Sequence, residues 1–117
     1  MKSLASISEK DIETIKMALN DSISDINMGL KEHLSDKRKE DLLQFKAKYA
    51  RVMEKLRQNA SIYALGEGEL DIAASGLNDA IELLEEYLSS DDLDEQEKTD
   101  IMLYKSDCQR LVTLLSS

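Results

Sequence analysis

Apolar residues recur at helical spacing through almost the whole chain. Ile12, Ile15, Leu19, Ile23, Ile26, Leu30 and Leu34 advance by three or four positions at a time, a mean step of about 3.7 that suits a straight α-helix. Asn20, Asp21, Ser24, Asp25, Asn27 and Lys31 take the other faces, so the pattern predicts a first amphipathic helix over about 8–34. Ser8 with Asp11 three residues on suits its start, Ser3 and Ser6 are further candidate caps, and Glu9, Asp11 and Glu13 favour the positive helix end.

A second line, Leu42, Phe45, Tyr49, Val52, Leu56, Ala60 and Tyr63, predicts a helix over about 37–65. Leu43, Ala47, Ala50, Met53, Ala64 and Leu65 widen its apolar face beyond what one neighbour needs. This longest pattern reads as the helix the others pack around, contacting two neighbours or one neighbour and a second subunit. Arg38 interrupts the apolar line ahead of it and Ser35 or Asp36 suits a cap, which places a turn between the first two helices, although a segment without Pro or Gly is equally compatible with one continuous helix. Gly66 and Gly68 read as its C-terminal stop.

Leu70, Ala73, Leu77, Ile81, Leu84 and Leu88 predict a third helix over about 69–88, where the small residues Ala74, Ser75 and Gly76 admit close approach of a neighbour. Leu93 as a staple and Asp94 with Glu97 as a capping box open a fourth, about 94–115, striped by Ile101, Tyr104, Cys108, Leu111 and Leu115. Four amphipathic helices with short connections imply an all-α fold, an antiparallel four-helix bundle forming a single helical domain over 1–117.

Composition agrees. With 42% hydrophobic and 33% charged residues, no Pro, no Trp and four Gly among 117 residues, the chain has a core to bury and little to interrupt helices. A lone cysteine excludes an internal disulfide, nothing resembles a signal peptide, and the apolar runs fall far short of the roughly 20 residues a membrane span needs. A cytoplasmic protein that does not enter membranes is expected.

Residues 74–115, with GLNDAIELLEEYL running into an acidic turn and another amphipathic helix, loosely resemble one helical pair of a tetratricopeptide or a microtubule-interacting-and-transport type domain. That resemblance covers about a third of the chain and lacks the defining Trp/Leu/Gly/Tyr spacing, so no family follows from it.

The net charge of −9 argues against nucleic acid as a direct ligand, because phosphate binding draws on clustered Lys and Arg. The distribution of charge is more informative. Residues 31–57 carry nine basic and five acidic groups, whereas 67–100 carry thirteen acidic groups and only Lys98. One explanation is internal pairing of Lys39, Lys46 and Arg57 with Asp71, Glu82 and Glu85 across antiparallel helices, each exposed pair stabilising by ~0–1 kcal/mol. The other is a recognition surface. Asp79, Glu82, Glu86, Asp91, Asp92, Asp94, Glu95 and Glu97, with Tyr87 as a contact residue, form a candidate site that attracts another protein bearing a basic patch.

Candidate chemistry is thin. His33 has Leu30 where a Glu-x-x-His ligand pair needs a carboxylate. Asp92, Asp94 and Gln96 have calcium-loop spacing, but Glu97 replaces the required glycine and Leu103 the bidentate glutamate. Cys108 falls on an inner stripe without an activating histidine, Gly66-Glu67-Gly68 lacks the Lys-Ser/Thr of a phosphate loop, and Glu82, Glu85 and Glu86 face outward. Tyr49 and Tyr104, and Tyr63 near the end of the second helix, read as core residues with hydroxyls at the rim. These residues imply no enzyme, no metal and no cofactor. They imply a regulator, inhibitor, adaptor or secretion-chaperone-like binding protein, with mimicry of nucleic-acid phosphates as one form. The alternative is a homodimer or structural module built on the broad apolar face of the second helix.

Overall fold

The computed structural model describes residues 4–116, so the candidate cap Ser3 lies outside it. After a 3₁₀ turn at Leu4–Ser6, four α-helices follow: α1 Glu9–Gly29, α2 Asp36–Gln58, α3 Glu67–Leu88 and α4 Glu95–Ser116. Consecutive helices run antiparallel: Gly29 faces Leu42 at the α1–α2 turn, and Lys55 and Tyr49 of α2 meet Glu69 and Asp79 of α3 in reverse order. One continuous cluster of buried side chains, drawn from all four helices, forms the core.

Ser8 and Asp11 form a capping box at the expected start of α1, each side chain accepting the other's backbone N–H at 3.1 Å. The helix ends at Gly29, earlier than the apolar line suggested. Glycine is the weakest helix former after proline. There the chain tightens into i→i+3 hydrogen bonds from Lys31 to Met28 and from Glu32 to Gly29 before leaving. Leu30 still packs against the core, and Leu34 stays half-buried, from the connecting loop. The two helices are therefore separate, and Ser35 caps α2 by accepting the Arg38 N–H at 3.2 Å.

Helix α2 also stops early, at Gln58, with Asn59 in an extended conformation. The segment beyond it turns through a 3₁₀ helix at Ile62–Ala64 that buries Ile62 and Leu65 over the end of the core. Tyr63, expected to face inward, is 69% exposed instead. Gly66 starts α3 rather than stopping α2: its N–H donates to the Glu69 carboxylate at 2.9 Å, and Gly68 lies within the helix.

The greatest difference from expectation is which helices are central. α1 and α3 each touch all three other helices, whereas α2 and α4 flank that pair on opposite sides in a bundle flattened to 40 × 40 × 24 Å. α3 buries eight residues, among them Leu70, Leu77, Ile81 and Leu84, whereas α2 buries three, Tyr49, Val52 and Leu56. Half of the positions that broadened the second helix's apolar face point outward: Leu43 is 52% exposed and Ala47 and Ala50 are exposed, whereas Met53 packs partly against the core and Leu65 is buried beyond the helix end. The close α1–α3 contact rests on small residues. A Cβ at Gly76 would lie 2.5 Å from the Leu19 side chain, which is fully buried.

Candidate functional site

Helix α3 places Asp79, Glu82 and Glu86 at successive steps of three and four, so one outward face carries all three carboxylates with Tyr87 beside them. Asp91 and Asp92 follow in the connecting turn. Asp94 caps α4, accepting the Glu97 N–H at 2.8 Å, and Glu95 and Glu97 occupy the first turn of that helix. All nine of these predicted site residues are exposed. Two of them also have internal roles. Asp94 holds the cap, and Asp79 accepts the Tyr49 hydroxyl at 2.6 Å, drawing it toward α2.

Tyr49 is itself buried, and its hydroxyl also lies 3.0 Å from the Ser75 hydroxyl. Burial, followed by the Asp79 bond, raises its pKa above the ordinary tyrosine value. Tyr104 behaves likewise: burial and then the negative Asp21 carboxylate, to which its hydroxyl donates at 2.9 Å, raise its pKa.

Sequence reasoning missed the contribution of α1. Asp21 and Asp25 approach α3 and line a groove of about 140 Å³ with Met28, Leu83, Leu84 and Tyr87. Asp25 also reaches a second groove of about 300 Å³ on the α2 side, where Arg38 and Phe45 face Asp79 and Glu82. The α1 sequence does carry Asp21, Asp25 and Met28 at helical spacing, but nothing local says which outer face lies against α3. No basic residue occupies the last turn of α1 or α3, so both negative helix ends go without a compensating side chain there.

Between α2 and α3, Lys55 pairs with Glu69 at 2.7 Å, while Arg57 pairs with Glu54 of its own helix at 3.5 Å. The Lys55 bond, then the Gly66 N–H, lowers the Glu69 pKa. A pair without sequence precedent joins α1 to α4: Arg110 meets Asp11 at 2.6 Å, and that bond holds the Asp11 carboxyl below its ordinary range.

His33 is exposed in the α1–α2 loop, and Cys108 is fully buried, where burial and then the nearby Asp107 push its thiol up to about 12. Among the described residues no three or more His, Cys, Asp or Glu side chains are grouped so as to hold a metal ion, and no helix is long and apolar enough to cross a membrane. No family model matches the chain, and neither curated proteins nor solved structures provide a match.

Proposed function

We propose that this is a non-catalytic cytoplasmic protein that binds another protein through the acidic face of α3 and the following turn, as a regulator, inhibitor, adaptor or chaperone-like molecule. The observation carrying this reading is the exposure of all nine predicted residues between Asp79 and Glu97. Such a field accelerates encounter with a basic partner and disfavours acidic ones. Where the partner is a nucleic-acid-binding protein, the carboxylates take the place of phosphates and the protein acts as an inhibitor.

Replacing Glu82, Glu86, Asp91 and Asp92 by Lys tests this on the folded chain, because all four are exposed. Proteins captured by the native chain and lost by this variant are the expected partners, and their own surfaces should be basic. Equal capture by both chains removes the acidic face from the mechanism.

A second reading rests on the outward Leu43 and Phe45 of α2, 52% and 46% exposed, which a second copy of the chain would cover. Solution mass across a concentration series decides it, and a monomer at every concentration eliminates the dimer.

A further inference from the structure

The carboxyl-terminal halves of α1 and α3 lie side by side, and they leave apolar side chains in solvent: Met28 is 68% exposed and Tyr87 57%. Together with Leu83 and Leu84 they border a groove of about 140 Å³, close to the roughly 150 Å³ that accommodates a benzene-sized group. One large apolar side chain fits. The charged groups lining this groove are Asp21 and Asp25, and Tyr104 holds Asp21 in place at 2.9 Å. Arg38 lines the separate groove on the α2 side, not this one.

We propose that this α1–α3 groove is the anchor point for a segment of a partner protein that carries one leucine-, methionine- or phenylalanine-sized residue flanked by Lys or Arg. The anchor enters between Leu84 and Tyr87, and the flanking cations pair with Asp21 and Asp25 as desolvation by the anchor strengthens them. Methionine and tyrosine suit the task, since a thioether adapts its shape and a phenol offers a large rigid surface at low entropy cost. The inference rests on the acidic-face reading but adds a specific pocket and residues of α1.

A displayed library of random 12-residue peptides panned on the full chain tests it. Enriched sequences should carry a single large apolar residue between Lys or Arg. The corresponding synthetic peptides should shift the amide resonances of residues 21–28 and 83–87. Met28→Ala with Tyr87→Ala, both at exposed positions, should weaken them at least tenfold, and Asp25→Lys likewise. Peptides that bind with salt-sensitive affinity but without need of the apolar anchor overturn the groove while leaving the acidic face intact. Enrichment of neutral or acidic sequences overturns both, and no enrichment, or shifts confined to other residues, overturns the groove.

Discussion

The Ser22 hydroxyl donates to the Gly76 carbonyl at 2.8 Å, a buried hydrogen bond between residues 54 positions apart. It marks a close approach of α1 and α3. Leu19 occupies the space a side chain at position 76 would need, and Ser22 satisfies its own buried hydroxyl on the backbone exposed by the missing Cβ. This approach makes α1 and α3 the central pair and sets α1's carboxylates beside α3's.

Gly76→Ala should therefore destabilise the protein despite alanine's better helix propensity. Overpacking against the fully buried Leu19 costs about 1–3 kcal/mol, against a propensity gain of about 1 kcal/mol. Gly68→Ala is the control. Nothing lies within 4 Å of its added Cβ, so it should be neutral or stabilising by up to about 1 kcal/mol. Urea unfolding of the two variants gives the comparison, and a stabilised Gly76→Ala contradicts the close contact.

Asp11 should contribute to acid sensitivity. Its carboxyl is held below the ordinary value of 3.8 chiefly by the Arg110 bond, so its contribution is present above that value and is lost as pH falls through the lower folded-state value. Asp11→Asn should flatten the stability profile in that acid window. Near neutral pH it should cost about 1 kcal/mol, a modest figure because the Arg110 side chain is 46% exposed. An unchanged acid limb in chemical denaturation at several pH values contradicts the role of this pair.

Cys108 should be inert in the folded protein. Full burial, which pushes its thiol up to about 12, denies a reagent both access and thiolate, so at pH 8 a thiol-specific dye should react only after denaturant is added, with one equivalent. Fast labelling of the native chain contradicts the packing of α4.

Much of the fold is legible because helical cores announce themselves locally. Ile12, Ile15 and Leu19, then Leu70, Leu77 and Ile81, then Cys108, Leu111 and Leu115 recur at the helical period and are all buried. The prominence of α2 misled for a physical reason: a broad apolar face shows what a helix offers, not what covers it, and Leu43 and Phe45 stay in solvent. The end of α1 falls at Gly29, a weak helix former, and that of α2 just before Asn59, another, where burial of Ile62 and Leu65 outweighs the apolar period. The exposed carboxylates from Asp79 on α3 through the turn to Glu97 on α4 read directly from the sequence. Asp21 and Asp25 do not, and neither does the Asp11–Arg110 pair, because their partners are brought close only by tertiary packing.

The most direct test of the acidic face is the association rate of a captured partner at low and high ionic strength. Raising salt from roughly 50 to 500 mM shortens electrostatic reach from about 13 Å to about 4 Å. The account predicts an association rate that falls at least tenfold with a nearly constant dissociation rate, and a Glu82, Glu86, Asp91 and Asp92 to Lys variant that starts slow and stays slow. An association rate that barely changes with salt contradicts it.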